Sequence, residues 1–361
     1  MQYLSLFSGV GGFELSIERA YESYFGLQQR PENGQGRQPE SENNSKYFAH
    51  GKRKHGAVCC GFSENNKYAT AIYRYNFPDH RNFGDATEIV CDELPAFDFL
   101  CAGFPCQSFS YAGKRKGFAD TRGTMFFEVQ RILADHRPRH FLLENVEGLV
   151  NHEAGKTFQT ILGILTEIGY FVETVILDTK RFGVPQQRKR VFFIGHYGNE
   201  CEREILSFGN DFAAIDNGMP KKIGFIDNNG DANRVYDSNY LARTLKSEGG
   251  GRGAKGGLYL VQKPRGFNDG GIKEICPTLS SNSFESNNFL ADGVRIRRLT
   301  PTEFARLQGF EDSWARLGLF EDGTIKPISD TQQYKVFGNA ISVPVVQAII
   351  EKMIPCLENF E

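Results

Sequence analysis

Short apolar runs alternate with helix-patterned segments over the first two-thirds of the chain, and this alternation constrains the fold more than any other feature. The apolar runs have the length of buried strands, and the segments between them repeat apolar residues at helical spacing. Strands that alternate with helices predict an α/β fold whose mostly parallel sheet is covered on both faces. The predicted strands are 3–7, 57–62, 98–102, 140–146, 170–177 and 191–194, and the predicted helices are 13–24, 124–136 and 158–168.

Two segments interrupt this pattern. Residues 27–56 contain almost no apolar side chains, so we expect a flexible insertion that cannot fold alone. Residues 198–293 are dense in Gly, Asn and Asp, and they predict a smaller, loop-rich domain. Helical patterning returns in residues 299–307 and 344–354. The predicted parts are 1–197, 198–293 and 294–361.

Composition and charge limit which partners, metal sites and cellular locations we expect for this protein. The formal net charge of the 361 residues is −2, so any binding of nucleic acid must depend on local basic clusters. None of the eight cysteines forms a C-x-x-C pair with zinc-ligand spacing, so we expect a reduced protein without a metal site. We expect no signal peptide before residues 3–7 and no apolar run long enough to span a bilayer. We therefore expect a cytoplasmic protein without membrane contact.

A glycine-rich turn follows the first predicted strand and opens the first predicted helix. Gly9, Gly11 and Gly12 would let a ligand approach the backbone and the helix N-terminus. Glu64, after the second strand, could accept hydrogen bonds from ribose hydroxyls, and Asp85 could bind an adenine amino group. Either acid could equally be a surface or capping carboxylate. Together, in this order, they favour an adenosine-containing cofactor.

The sharpest chemical signal lies in residues 103–110, GFPCQSFS. Cys106 follows a buried strand and a proline, which places it at the edge of the sheet, although a lone cysteine is more often an inert filler. Glu144 ends another buried strand, where an unpaired carboxylate would be costly and where it could hold or donate a proton. Arg188 and Arg190 share one face of an extended segment, but a solvated basic stretch has the same pattern.

The motifs, taken in order, resemble those of the DNA cytosine C5-methyltransferases of bacterial restriction–modification systems. The resemblance covers nearly the whole chain apart from residues 27–56, an insertion longer than the family's usual link, and the variable segment before Arg295. It implies a Rossmann-like S-adenosylmethionine-dependent methyltransferase fold with a target-recognition domain in 198–293. The matching motifs are FSGVGGFE, GFPCQSFS, ENVEGL, VPQQRKRVFFIG, RRLTPTEFARLQGF and FGNAISVP.

The resemblance also implies a reaction. Cys106 matches the nucleophile that adds to C6 of a cytosine, and Glu144 matches the acid that contacts N3 and the exocyclic amine. Arg190 matches the arginine that binds O2, with Arg188 in a supporting role beside it. Because C5 is inaccessible inside a stacked duplex, the target base must be flipped out.

Cofactor and DNA contacts are implied in the same way. The cofactor residues are Phe7, which would stack on adenine, with Gly9, Gly11, Glu64, Asp85, Pro105 and Asn339. A basic loop after the nucleophile resembles the family's mobile loop that closes on DNA. The DNA contacts are Gln107, Ser110, Lys114, Arg115, Lys116, Arg122 and Arg298. Phosphate contacts position a duplex without reading it, so sequence specificity is expected in 198–293. Thr300 and Glu303 have the spacing of a capping box, which predicts a helix start after the recognition segment.

Other functions stay open at this point. A tRNA cytosine C5-methyltransferase would share the fold, although the complete Pro105-Cys106-Gln107 motif favours DNA. A catalytically silent DNA-binding relative is disfavoured by the intact Cys106 and Glu144, and a nicotinamide oxidoreductase leaves the cysteine and arginine motifs unexplained. We expect a monomer that binds double-stranded DNA, and a cognate restriction endonuclease acting on the same site is a candidate partner.

Overall fold

The computed structural model describes residues 1–26, 56–105, 125–198 and 296–358, together with short strands between 222 and 291. From 222 to 298 it describes the backbone of those strands and the side chain of Cys276. The strands are β1 Gln2–Leu6, β2 Val58–Ser63, β3 Phe99–Gly103, β4 His140–Val146, β5 Tyr170–Asp178, β6 Gln186–Gln187, β7 Lys189–Tyr197, β8 Lys222–Phe225, β9 Arg234–Tyr236, β10 Tyr259–Gln262, β11 Gly271–Lys273, β12 Cys276–Pro277, β13 Asn288–Ala291, β14 Ile296–Arg298, β15 Leu317–Leu319 and β16 Ile325–Pro327.

The α-helices lie between and after these strands. They are α1 Gly12–Tyr24, α2 Lys67–Asn76, α3 Met125–His136, α4 Gly148–Asn151, α5 Lys156–Glu167, α6 Pro301–Gln308, α7 Asp330–Asn339 and α8 Val343–Leu357. Short 3-10 helices occupy Ala86–Glu88, Cys91–Glu93, His152–Gly155 and Thr179–Phe182.

Six strands form the central sheet in the order β2-β1-β3-β4-β7-β5. The first four of these neighbours pair in parallel, and β7 runs antiparallel to both β4 and β5. The predicted mostly parallel sheet is therefore confirmed. The carboxyl ends of β1 to β4 meet at one edge, which is the edge where α/β sheets bind their ligands.

Apolar cores cover both faces of this sheet because successive strand residues point to opposite sides. In β4, Phe141 and Leu143 pack into a cluster with α3 and α5, whereas Leu142 packs into a second cluster with α1 and α8. All three side chains are fully buried. Each such side chain stabilises the fold by roughly 1.5–3 kcal/mol relative to exposure, which explains why a run as apolar as HFLLENV forms a central strand.

The C-terminal segment returns to the first half of the chain. By length and composition alone, residues 330–357 are apolar enough to cross a bilayer, which our reading of the sequence did not anticipate. In the structure this stretch is two helices, α7 and α8, and 61% of its most apolar window is buried. Val346, Ile350 and Met353 of α8 pack into the cluster that contains Ile17 and Ala20 of α1. These contacts are those of a core helix.

Several described elements were not predicted, among them α2, α7 and the β15–β16 hairpin. Asn66 caps the start of helix α2, because its Oδ1 accepts hydrogen bonds from the backbone N–H groups of Tyr68 and Ala69 at 3.0 and 3.1 Å. Half of its sequence, KYATAIYRYN, consists of Tyr, Thr and Ile, which are weak helix formers. The helix is stabilised by the burial of Ile72 and Tyr73 against the C-terminal segment.

Strands β10, β11, β13 and β14 form a four-stranded antiparallel sheet in the order β11-β10-β13-β14, and β8 pairs with β9. The four-stranded sheet extends to Arg298, five residues beyond the boundary placed at 293 from the sequence. Strand β12 pairs in parallel with β6, and Cys276 N donates to Pro185 O at 2.8 Å. Helix α6 then begins with the predicted capping box, in which Thr300 N donates to Glu303 Oε2 at 2.7 Å.

Candidate active site

Five side chains proposed for the site lie along the carboxyl edge of the parallel strands. Phe7 follows β1, Glu64 follows β2, Pro105 follows β3, and Glu144 lies near the end of β4. Arg190 lies at the start of β7, and because β7 runs antiparallel, its register places that start beside the end of β4. The fold thus assembles residues that are up to 183 positions apart in the sequence.

Glu144 and Arg190 form a nearly buried ion pair. Arg190 Nε lies 3.0 Å from Glu144 Oε1, and the two side chains are only 13% and 11% exposed. A Cβ on Gly103 of β3 would lie 3.7 Å from Glu144 Oε2, so the neighbouring strand approaches the carboxylate to ordinary contact distance. Because the pair is poorly solvated, removing one partner would leave the other charge uncompensated. Together the two groups can offer one polar ring an acceptor and a donor.

Arg188 is buried, and its guanidinium points to the C-terminal segment. Its Nη2 donates to Ala340 O at 2.7 Å, and its Nη1 donates to Gly338 O at 3.4 Å. Its backbone N donates to Asp178 Oδ1 at 3.1 Å. Burial, together with the nearby charge of Arg190, lowers the pKa of Arg188 to about 9. These contacts indicate that Arg188 holds the segment before β7 in place.

The glycine turn between β1 and α1 has an unusual backbone. Phe7, Gly9 and Gly11 have φ values of 54°, 57° and 86°, in the left-handed region that glycine adopts readily and a phenylalanine does not. Gly11 precedes the first residue of α1, so the turn leads directly into the helix N-terminus. A helix N-terminus with adjacent glycines can bind a negatively charged group.

Glu64 ties the end of β2 to this turn. Its Oε2 accepts a hydrogen bond from Gly9 N at 2.9 Å, and its Oε1 accepts one from Asn66 N at 2.7 Å. Burial raises the pKa of the Glu64 carboxyl, and these backbone hydrogen bonds oppose that rise. Each carboxylate oxygen retains a second lone pair that could accept a ligand hydroxyl.

Asp85 caps a short 3-10 helix. Its Oδ1 accepts hydrogen bonds from the backbone N and the hydroxyl of Thr87, at 2.9 and 2.8 Å. Its Oδ2 accepts one from Asn65 Nδ2 at 2.8 Å. These bonds lower the pKa of Asp85, so the group stays ionised at neutral pH. The capping role considered from the sequence is present, and it leaves acceptor capacity for one further partner.

Asn145, which the sequence analysis missed, anchors the chain that leaves β3. Its Nδ2 donates to Phe104 O at 3.0 Å, directly before Pro105. Pro105 is exposed beyond this bond, and Asn339 is exposed at the last position of α7. The next residues, which include most of the proposed reactive and DNA-contacting side chains, lie outside the described part of the chain. They are Cys106, Gln107, Ser110, Lys114, Arg115, Lys116 and Arg122. For Arg298 only the backbone, in β14, is described.

Among the described residues, one group could in principle ligate a metal: Cys91, Asp135 and His136. It lies at the end of α3, away from the carboxyl edge of the sheet. The guanidinium of Arg131 already contacts Cys91 Sγ at 3.2 Å, and His136 Nε2 lies 2.9 Å from Cys91 O. A cation next to the sulfur competes with a metal ion, so these groups are better explained by their contacts within the protein.

Known proteins are similar to this chain along most of its length. The sequence profile of the family described as C-5 cytosine-specific DNA methylase matches residues 46–355. The Type II methyltransferase M1.ScrFI of Lactococcus lactis subsp. cremoris is 38% identical over 307 residues, which are 82% of this chain and 72% of that relative. The Type II methyltransferase M.HpaII of Haemophilus parainfluenzae is 34% identical over 389 residues, covering 99% of this chain and 90% of that relative.

A solved structure shows the same fold. The crystal structure of the S. pombe Dnmt2 methyltransferase matches with a TM-score of 0.61, covers 100% of both chains and is 18% identical. At this level of identity the likeness concerns the architecture. It confirms the predicted Rossmann-like methyltransferase fold.

Proposed function

This chain belongs to the C-5 cytosine-specific DNA methylase family and is a DNA cytosine methyltransferase, and we propose that it methylates C5 of a cytosine flipped out of a specific duplex sequence, with S-adenosylmethionine as the methyl donor. One observation supports this proposal above the others. The nearly buried Glu144–Arg190 pair lies beside the strand that leads to Cys106, where a polar base could contact both charges.

The residues at the ends of β1 and β2 fit S-adenosylmethionine. Glu64 is held by two backbone N–H groups and can still accept from ribose hydroxyls, and Phe7 offers a half-buried ring for the adenine. The start of α1 suits the carboxylate of the methionine moiety. Asp85, Pro105 and Asn339 would complete the pocket, with Gly9 and Gly11 keeping the turn open. When bound, the cofactor supplies an electrophilic methyl group on a sulfonium sulfur.

Cys106 would act as the nucleophile. Its thiolate adds to C6 of the base, which forms a C–S bond and places electron density on C5. After C5 has accepted the methyl group, the C5 proton is lost to a base, the C–S bond breaks, and the ring regains its double bond. The products are 5-methylcytosine, the free thiolate and S-adenosylhomocysteine.

Glu144 and Arg190 would stabilise the charge that this addition creates. Glu144 contacts N3 and the exocyclic amine, and Arg190 donates to O2. Arg188 would act indirectly, through the segment that it holds at Gly338 and Ala340.

The DNA would be bound on the same edge of the sheet. The basic loop after Cys106 would contact phosphates and close over the flipped base. Residues 198–293 would form the target-recognition domain, between a catalytic part in 1–197 and a C-terminal return in 294–361. We further propose a monomer that acts in the cytoplasm, where the DNA is, and a restriction endonuclease directed at the same sequence. The loop and strand contacts are Gln107, Ser110, Lys114, Arg115, Lys116, Arg122 and Arg298.

Replacement of the nucleophile tests the mechanism. We expect the Cys106→Ala variant to bind cofactor and duplex DNA but to transfer no methyl group, because C5 stays unreactive without addition at C6. Tritium transfer from labelled cofactor to duplex DNA measures this. Cys60→Ala is the matched control, since Cys60 lies on β2 and its loss should leave turnover intact. Methyl transfer by Cys106→Ala at the native rate would refute the covalent route.

A mechanism-based trap tests the adduct itself. With 5-fluorocytosine at the target position, the C5 fluorine cannot leave as a proton does, so the native protein should form a covalent complex that survives denaturing gel electrophoresis. The Cys106→Ala variant should form none. Because the target sequence is needed first, bisulfite sequencing of plasmid DNA from cells that express the protein identifies the methylated cytosine. Parallel assays on unmodified tRNA separate DNA from RNA as the substrate.

A further inference from the structure

Trp314, the single tryptophan of the chain, reaches the glycine turn from the C-terminal part of the sequence. Its Nε1 donates a hydrogen bond to Val10 O at 2.8 Å. The side chain is 8% exposed, and its ring packs against Phe77 and Phe310, with centroids 5.7 and 5.6 Å away. The hydrogen bond is therefore shielded from water.

The peptide between Val10 and Gly11 is held at both of its polar ends. On one side Val10 O accepts from Trp314 Nε1, and on the other side Gly11 N donates to Ser8 O at 3.0 Å. The plane of this peptide cannot rotate unless both hydrogen bonds break. Trp314 supplies the bond that comes from outside the turn.

This external bond matters because Gly11 offers little resistance to rotation. Glycine adopts left-handed and right-handed conformations with similar ease, and Gly11 has a φ of 86°. Without the indole, Val10 O would be a buried acceptor without a described partner, which favours rotation. A rotated peptide would turn the Val10 carbonyl toward Ser8 O, where Gly11 N–H now points, so the turn would lose its present shape beside the N-terminus of α1.

Contacts from α2 and α1 hold Trp314 and the chain that precedes it. Asn76, at the end of α2, donates from Nδ2 to Trp314 O at 3.0 Å. Arg19 of α1 donates from Nη1 to Gly309 O at 2.7 Å, which anchors the chain just after α6. Phe77 closes the other side, since a Cβ on Gly11 would lie 2.6 Å from its ring. The indole thus has a defined position from which to hold the turn.

We infer that Trp314 is a positioning residue for the cofactor: its indole N–H holds the Val10–Gly11 peptide in the orientation that lets the glycine turn receive S-adenosylmethionine. This inference rests on the proposed function, because it takes the turn to be the cofactor site. Part of the affinity for the cofactor would then depend on Trp314, a residue outside the turn.

The test removes the N–H and keeps the aromatic packing. In Trp314→Phe, we expect the dissociation constant for S-adenosylhomocysteine, measured by calorimetry, to rise about five- to tenfold, as for loss of one buried hydrogen bond. The KM for S-adenosylmethionine should rise by the same factor, while kcat changes less than about twofold. Tyr170→Phe is the matched control, because Tyr170 also donates to a buried carbonyl, Pro138 O at 2.8 Å, but at the far edge of the sheet. Its affinity should equal that of the native protein.

If Trp314→Phe does not fold, β-(3-benzothienyl)alanine at position 314 removes the N–H at nearly constant shape, and the same increase in dissociation constant is expected. Native affinity in either folded variant, or a fall in kcat without a change in affinity, would overturn the inference while the proposed function stands. A native protein that binds neither S-adenosylmethionine nor S-adenosylhomocysteine would instead overturn the proposed function and this inference with it.

Discussion

At the scale of single residues, Phe7 shows how the site is built at some cost to the backbone. A φ of 54° is uncommon for a bulky residue and costs on the order of 1–2 kcal/mol. The ring is half-buried and packs against the apolar cluster that contains Leu4 and Leu6. The strain places an aromatic ring where β1 gives way to the glycine turn, which is where a ligand would be bound.

We expect Phe7→Gly to be more stable than Phe7→Ala by about 1 kcal/mol, which reverses the usual order of these residues. Both variants lose the ring, so the difference isolates the backbone conformation, which glycine adopts without strain. Urea denaturation of the two variants measures it. A more stable alanine variant would show that the left-handed conformation at this position is not strained.

Residue by residue, the sequence was sufficient to predict where the charged residues of the motifs lie in the fold. Glu144, Arg190 and Glu64 lie along one edge of the sheet, as their positions after predicted strands required. Asn145 and Trp314 were missed because each donates to a backbone carbonyl of another segment, Phe104 O and Val10 O. Every residue has a backbone carbonyl, so the local sequence does not indicate which one a distant side chain will bind.

At the scale of elements, Arg188 joins the start of β7 to the end of α7. Its guanidinium donates to two carbonyls that follow one another closely in the chain, at Gly338 and Ala340. An arginine can serve both because its donors form a planar fork, whereas the single ammonium of a lysine cannot reproduce that geometry. The strand that carries Arg190 is therefore positioned by the C-terminal segment.

We expect Arg188→Lys to lower the free energy of unfolding by about 2 kcal/mol or more, because at least one buried carbonyl loses its donor. Lys189→Ala, one residue further on, should change it by less than about 1 kcal/mol, since its ion pair with Glu147 is 45% and 44% exposed. Chemical denaturation of both variants gives the comparison. Equal effects would show that Arg188 does not anchor β7.

Strands and helices were predicted correctly where buried residues recur in the sequence at strand or helix spacing. The prediction failed where an element depends on contacts with distant segments. Strands β1 and β4 are apolar enough to be identified alone, and helix α1 has apolar residues at helical spacing. Helix α2 consists largely of weak helix formers and depends on the C-terminal segment for its burial, a contact that the local sequence does not contain. Helix α7 likewise depends on distant residues, since its Val336 and Phe337 pack into the cluster that contains Ile72 of α2.

At the scale of the whole molecule, two buried titratable groups make the stability of the fold depend on pH in opposite directions. Glu14 of α1 is fully buried, and neither of its carboxyl oxygens has a hydrogen-bond partner among the described residues, although the hydroxyls of Ser5 and Tyr73 are near. Burial raises its pKa to about 7. Burial lowers the pKa of His140 to about 4, with the adjacent His196 as a further cause; their Nδ1 atoms are 2.8 Å apart.

The two shifts define a pH range of greatest stability. Glu14 favours the folded state fully below its ordinary pKa of 4.5, and this contribution is lost as the pH rises through about 7. His140 favours the folded state fully above its ordinary pKa of 6.5, and this contribution is lost as the pH falls through about 4. The two groups thus limit stability from the alkaline and the acid side respectively.

We therefore expect Glu14→Gln to be stabilised, relative to the native protein, by about 2–3 kcal/mol more at pH 8 than at pH 5. The amide cannot ionise, so it avoids the charge that the native carboxyl acquires above pH 7. Denaturation at both pH values measures the change, with Glu321→Gln at an exposed position as the control. A difference between the two pH values no larger than that of the control would mean that Glu14 ionises as freely when folded as when unfolded.

The antiparallel course of β7 has a consequence for how such an enzyme could acquire new targets. The strand starts at the site with Arg190 and ends at Tyr197, on the opposite edge of the sheet, beside the start of β5. The chain then returns at Cys276, paired with β6 next to Arg188. The chain therefore leaves β7 far from Arg190, and its pairing with β6 fixes the position of Cys276. If the intervening residues form the proposed target-recognition domain, we expect that segments of different length can be grafted between these two points while the proposed catalytic edge keeps its shape, so that target choice can evolve separately from catalysis.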